Sequence, residues 1–358
     1  MIIPKAYQRW AEFKAGTPYD PLTDVKDITV TEELNGMFDL NMEYPECGEN
    51  ASAIHPAGAG INGTVIQVPP RAGAQAEPFY VYETTRSIDR IIRVKAHHAV
   101  YRLTGIVIDP FTTTGITATI AKINAEINDG NYYFINVDLT DETTEFENEK
   151  VSTAWEMVGK IASTFGGELT YRYDYISGYI RIEYRQARGS ANAITIREGV
   201  NVVAYENTFN AEERTIAVCG YWTGDDGNGN KVTVTATRST NIFGEGRVLI
   251  VDMTDRFQSM PSAADLDTEV QAYANGMTWY EKNGTETLSV DFVLLGTTTE
   301  YDESIVLDLG DTVTVRALGE DVTARIVKYE YNPYTEKYKT ISIGSKPINI
   351  ADTIAGLL

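Results

Sequence analysis

Five places in the chain carry residue types that could do chemistry. Gly58-Ala59-Gly60-Ile61-Asn62-Gly63 has the letters of a dinucleotide fingerprint, and His97-His98 suggests a pair of metal ligands. Asp226-Gly227-Asn228-Gly229-Asn230 opens like a calcium loop, while Asp302-Glu303 and Glu142-Thr143-Thr144-Glu145 offer paired carboxylates for glycoside hydrolysis. Each pattern needs a context. The glycine fingerprint requires a strand before it and a helix after it, so that helix N–H groups face the pyrophosphate. Here His55-Pro56 precedes and the strand-like TVIQVP follows, so the segment reads as a loop. Neighbouring residues on a strand point to opposite faces, so His97 and His98 diverge, and no third ligand stands near them. The calcium pattern fails at its sixth position, Lys231 instead of glycine, and at its twelfth, Thr237 instead of glutamate; it reads as a polar hairpin turn. Sequence neighbours do not fix the separation of carboxylates across a cleft, and acidic loops are expected in a chain with 51 acidic residues. There is no HExxH and no GxSxG. The expectation is no catalytic, cofactor-binding or metal-ligating residue.

Charge narrows the function classes further. The 51 acidic and 30 basic residues leave a net charge of −21, the wrong sign for neutralising phosphates or adsorbing to anionic membrane. Cys47 and Cys219 are far apart and form no motif, which excludes a disulfide framework. The N-terminal MIIPKAYQRWAEFKAG lacks a signal peptide's apolar core, and no run of about 18 apolar residues marks a membrane span, so synthesis in the cytoplasm is expected.

The elements that would position any site are mostly strands. Residues 305–343 give three strand-length segments, built on Val313 and Val315, on Val322, Ala324, Ile326 and Val327, and on Tyr338, Ile341 and Ile343. Leu309-Gly310-Asp311 and Asn332-Pro333-Tyr334 punctuate them. Residues 27–45 read as a hairpin through Asn35-Gly36, and 63–69, 78–85 and 90–96 as further strands. The 22 tyrosines suit half-buried pleated surfaces. A helix is expected at 115–124, with Ile116, Ile120 and Ile123 on one face. A second is expected at 152–165, capped by Ser152, with Trp155, Val158, Ile161, Ala162 and Phe165 on its apolar side and Gly166-Gly167 at its end. A hairpin through Ile176-Ser177-Gly178 follows, then strands at 194–222 and 231–238. A third helix, about 262–281, should bury Ala264, Leu266, Val270, Tyr273, Ala274 and Met277. Strand pattern resumes at Thr287.

Three stretches together carry a family likeness: VTEELNGMFDLNMEYP at 30–45, FYVYETTRSIDRIIRVKAHHAVYRL at 79–103, and LGDTVTVRALGEDVTARIVKYEYNPYTEKYKTISIG at 309–344. In this order and spacing the chain resembles the N-terminal structural region of siphophage tail-associated (Tal) proteins, the prophage endopeptidase tail family. It is similar in plan to the baseplate hub protein of contractile-tailed phages. The resemblance implies a β-rich α+β fold with two small antiparallel, tail-tube-like β-barrel domains carrying mixed α+β and helical inserts. It also implies a homotrimeric ring capping the tail tube, with pseudo-sixfold symmetry and a channel for DNA and the tape-measure protein. An acidic wall would repel passing phosphates, which suits the charge of −21.

The expected domains are a first barrel at 1–104, a mixed insert at 105–194, a second barrel at 195–225 with 286–345, a helix-containing insert at 226–285, and a tail at 346–358. In that tail Ile350, Ile354 and Leu357 would share a helical face. Longer family members carry a wall-degrading module after this region, and KPINIADTIAGLL leaves no room for one. Two functions stay open at this point. One is a structural hub at the virion tail tip, made in the bacterial host cytoplasm, with no cofactor. Its partners would be the distal tail protein and other tail-tip or baseplate proteins. The other is a β-rich wall-active enzyme or carbohydrate-binding module of a phage tail.

Overall fold

The computed structural model describes residues 2–18, 21–54, 63–127, 130–197, 202–210, 214–240, 246–277, 282, 285–292, 307–317 and 320–344. The chain divides into two compact units: Met1–Tyr205 with Ser289–Ile343 and Pro347–Leu358, and Glu206–Leu288 with Gly344–Lys346.

In the first unit, β1 (Lys5–Tyr7), β2 (Asp27–Glu33), β3 (Phe38–Pro45), β4 (Val65–Val68), β5 (Glu77–Arg86) and β6 (Ile91–His98) come from the first hundred residues. The β2–β3 hairpin turns at Leu34-Asn35-Gly36, as the Asn-Gly pair predicts. Asn35 alone takes the left-handed conformation there, with φ +56°. Ile28 opposes Met42 and Val30 opposes Leu40, so both strands turn apolar side chains to one face. Two short helices, α1 (Trp10–Ala15) and α2 (Ala51–Ile54), were not legible in the apolar spacing. Helix α1 contributes Trp10 and Phe13, whose rings pack 5.0 Å apart.

The middle of the chain adds β7 (Val107–Ile108), β8 (Phe111–Thr114), α3 (Ile116–Ile127), β9 (Tyr132–Asn136), β10 (Glu145–Asn148), β11 (Ser152–Thr153), α4 (Ala154–Phe165), β12 (Glu168–Asp174) and β13 (Tyr179–Arg185). Helix α3 buries Ile116, Ile120 and Ile123 as its spacing predicts. In α4 the expected face is buried, but the cap is one residue later than expected. Thr153 accepts from the Glu156 N–H, and the Glu156 carboxylate accepts from the Thr153 N–H. Ser152 instead belongs to β11 and donates to Asn148 at 3.1 Å. This middle segment has no separate core. Phe134, Trp155 and Ile182 join one cluster with Ile28, Tyr44 and Phe79.

After β14 (Ala191–Arg197) the chain leaves through β15 (Val202–Asn210) for the second unit. That unit holds β16 (Thr215–Asp225), β17 (Lys231–Ser239), β18 (Arg247–Asp252) and α5 (Ala263–Gly276). Its sheet order is β17-β16-β18. Leu266, Val270 and Ala274 of α5 pack with Val218 and Met253, while Ala264, expected inside, is exposed. Two residues before Leu266, it stands about 200° around the helix from the buried face and so points away from the sheet. Beyond β19 (Thr285–Phe292), the chain forms β20 (Thr312–Ala317), β21 (Glu320–Asn332) and β22 (Lys337–Gly344).

One pairing decides the architecture of the first unit. Strand β21 lies antiparallel to β20 through its first half and to β2 through its second, with Val30 opposite Tyr331 and Glu32 opposite Tyr329. The resulting sheet runs β1-β4-β5-β6-β3-β2-β21-β22, with β20 pairing β21 and β14 pairing β20. The two expected β regions are thus joined by main-chain hydrogen bonds. The fold is β-rich α+β, and no closed barrel forms among the described residues. No helix among them is long and apolar enough to cross a membrane. The tail at 346–358 lies outside the described residues.

The α4 cap is directly testable. Thr153→Ala removes one side of a reciprocal cap and should cost about 1 kcal/mol. Urea unfolding followed by tryptophan fluorescence measures this, and an unchanged midpoint would place the helix start elsewhere.

Candidate functional site

The residues singled out by type do not converge. His97 Nδ1 lies 2.6 Å from Asp39 Oδ1 on one face of β6, whereas His98 Nε2 lies 3.3 Å from Glu77 Oε2 on the other. Among the described residues, no three His, Cys, Asp or Glu side chains are grouped to hold a metal ion. At 226–230 the carboxylates are spent on their own turn: Asp225 accepts from Gly227 and Gly229, and Asp226 from Asn228 and Asn230. Glu142 accepts from the Thr117 hydroxyl, and Glu145 sits exposed on β10. Cys47 and Cys219 are free thiols. Gly58 to Asn62, Asp302 and Glu303 lie outside the described residues.

His98 and Glu77 form a buried pair with a defined proton arrangement. The ring of His98 stacks on Phe38 at 4.4 Å. Its Nδ1 accepts from the Val100 N–H, so the neutral ring carries its proton on Nε2 and donates to Glu77. Glu77 Oε2 also accepts from the Tyr173 N–H at 2.8 Å. Burial brings the His98 ring down to about 3. Burial also pushes the Glu77 carboxyl well above the usual carboxylate range, opposed by the Tyr173 N–H and by the Arg172 and Arg71 charges. Burial therefore drives both side chains toward their neutral forms.

A denser polar cluster gathers where β2, β12, β21 and the turns before β14 and β20 meet. Arg188, 8% exposed, donates to Glu32 at 3.0 Å, to the Leu169 carbonyl at 3.0 Å and to Asp308 at 3.1 Å. Asp308 also accepts from Arg71, and Glu32 from the Tyr329 hydroxyl. Arg325 grips Glu168 with two parallel bonds, 2.6 and 2.9 Å, and reaches the Gly310 and Arg188 carbonyls. Burial alone would raise the Asp308 carboxyl, but the Arg71 hydrogen bond and the Arg188 charge outweigh it and hold it at about 2. The two turns touch through bare backbone. A Cβ on Gly189 would come within 2.1 Å of the Gly310 carbonyl carbon, and both glycines have positive φ. Leu309-Gly310-Asp311, read from sequence as punctuation, is the turn that brings these charges together. Arg188 gave no signal, because an arginine before Gly-Ser in a polar stretch matches any surface loop.

A cleft of about 340 Å³ opens beside this cluster, lined by Arg71, Gln75, Glu77, Tyr171, Arg172 and Arg188 among others. Its acids are engaged: Glu32 with Arg188 and Tyr329, and Glu77 with His98 and Tyr173. The cleft therefore offers hydrogen-bond donors and positive charge to an incoming group.

No family model and no curated protein matches the sequence. Solved structures do. A tail protein of the Shewanella oneidensis prophage MuSo2 superposes with a TM-score of 0.61 at 18% identity over 98% of both chains. A prophage tail protein of Listeria monocytogenes gives 0.59 at 16% identity over 99% of this chain and 98% of its own. A tail protein of Neisseria meningitidis gives 0.59 at 11% identity over 98% of both. The likeness is one of fold: the chain has the fold of prophage tail proteins from end to end.

Two predictions follow from the buried charges. Arg188→Ala leaves the acids of Glu32 and Asp308 without their shared cation and should cost about 3–5 kcal/mol, read as a fall in urea midpoint; a loss under about 1 kcal/mol would mean the cluster is solvated. The neutral pair has a subtler signature. In the unfolded chain between about pH 4.5 and 6.5, His98 is protonated and Glu77 ionised. In the fold burial drives both toward the neutral form, so where both are neutral folding moves a proton within the pair and binds none. The lowered histidine loses stability as pH falls below 6.5, and the raised carboxyl loses it as pH rises above 4.5, so the two slopes cancel. Glu77→Gln should expose the histidine slope, a loss of about 1.4 kcal/mol for each pH unit below 6.5. A pH-independent difference between variant and parent from pH 5 to 7 would contradict the neutral pair.

Proposed function

We propose that this chain is a structural protein of a phage or prophage tail, acting as the tail-tip or baseplate hub. In this reading three copies form a ring that caps the tail tube and joins it to the distal host-recognition apparatus, leaving a central channel for DNA. The single observation that carries it is fold likeness to three tail proteins over 98% or more of each chain. A fragment shared with an enzyme would match in part; this chain matches as a whole. Its partners are two further copies of itself, the distal tail protein and other baseplate proteins, with the tape-measure protein and DNA passing through. Its place is the virion tail tip.

The β2–β21 pairing supports the ring. A trimer that meets a hexameric tube must present two similar β regions per subunit, side by side. The regions read as barrel domains, 1–104 and 195–225 with 286–345, contribute strands β2 and β21 to one sheet. The net charge of −21 suits a channel that phosphates cross without sticking. The polar cluster around Arg188 then serves rigidity, and no catalytic residue is assigned.

Native mass spectrometry and negative-stain imaging across a range of protein concentration test this. The expected result is a trimer with a central opening, favoured as concentration rises. A persistent monomer that cleaves peptidoglycan or binds glycan would replace the hub with the wall-active reading.

A further inference from the structure

The cleft beside the Arg188 cluster contains an unfinished strand edge. Strand β12 ends the three-stranded sheet β12-β13-β9, so only one of its edges is paired. On the open edge, side chains cover the main chain at two places. The Leu169 N–H donates to Asn35 at 2.7 Å and its carbonyl accepts from Arg188 at 3.0 Å, while the Tyr173 N–H donates to Glu77 at 2.8 Å. Main-chain groups on one edge recur at every second residue. The N–H and C=O of Tyr171 therefore point the same way, between the two covers.

Tyr171 lines the cleft and is 8% exposed, yet its hydroxyl has no hydrogen-bond partner among the described residues. Arg172 beside it also lines the cleft and is in no salt bridge among the described residues, whereas Arg71 and Arg188 already hold Asp308 and Glu32. The window thus offers one residue's worth of strand pairing, a hydroxyl and a cation that feels Glu77 but is in no salt bridge among the described residues.

The shape of the window selects the occupant. A through-going strand would meet Asn35 and Arg188 at one end and Glu77 at the other. A chain end can stop between them. An N-terminus would bring an ammonium group towards arginines, whereas a C-terminus brings a carboxylate that matches them. The volume of about 340 Å³ lies at the small end of ligand pockets, room for a peptide end.

We propose that this cleft binds the C-terminal residues of an extended peptide, which pair with the main chain of Tyr171 and place their carboxylate against Arg172. Strand addition supplies affinity independent of sequence, and the carboxylate supplies direction. The proposal goes beyond the hub reading and stands or falls separately from it.

The test uses the full chain with acetyl-Ala-Ala-Ala, its C-terminal amide, and acetate as probes, followed by amide NMR and calorimetry. The tripeptide acid should saturate, with the largest shifts at the Tyr171 and Arg172 amides. The amide form should bind at least tenfold more weakly, and Arg172→Gln should weaken the acid by about tenfold. Tyr171→Phe, which keeps the ring in the core, should weaken it severalfold with an unchanged melting temperature. Equal binding of acid and amide overturns the proposal, as does saturation without a shift at Tyr171. Acetate binding as tight as the tripeptide overturns the strand pairing and leaves a simple anion site.

Discussion

The first unit depends on one electrostatic constraint: Arg188 and the carboxylates around it must be buried together or not at all. Arg188 and Glu32 are 156 residues apart, and Arg325 and Glu168 are 157 apart. Each bond therefore closes a long loop, and its worth appears only once the sheet is assembled. A buried ion pair adds little net stability over a packed apolar substitute, but one partner without the other is strongly unfavourable. Such a cluster penalises every partly assembled arrangement. It makes the joining of β2, β12 and β21 an all-or-none event, and the backbone contact of Gly189 with Gly310 removes the slack that would let an alternative register form.

The same cluster shows what sequence can and cannot carry. Local periodicity found the β2–β3 hairpin, β20 to β22, and the faces of α3 and α4, because burial on one side leaves a period of two or 3.6. It missed β1, α1 and α2, whose three to six residues are too short to show any period. It placed the α4 cap at Ser152 because serine is by type the better cap, and only the Glu156 carboxylate reaching Thr153 reverses that choice. It separated two β regions that the β2–β21 pairing joins, since strand partners follow from tertiary packing and leave no mark in either strand alone.

The polar groups divide by whether their bonding capacity is already used. His97, His98, Asp226 and Glu142 attract notice in the sequence, yet each is tied within the fold, to Asp39, Glu77, a turn backbone and Thr117. A group that is fully satisfied internally has nothing to offer a ligand until the fold is disturbed. Chemistry-bearing letters are therefore poor guides in this chain. Among the described residues that line the cleft, Tyr171 and Arg172 have capacity left, and no motif marks them.

That division also bears on what the cleft can do. Proton transfer calls for a group whose two protonation states are both accessible near the working pH. Glu77 and His98 are each driven by burial toward the neutral form, and the exchange between them is closed: the Nε2 proton already points at Glu77, and Nδ1 is held by the Val100 N–H. The arginines cannot give up a proton in water. What faces the cleft is thus a strand edge flanked by donors and positive charge, with the Glu32 and Glu77 carboxyls already hydrogen-bonded. Such a surface distinguishes partners by shape and charge.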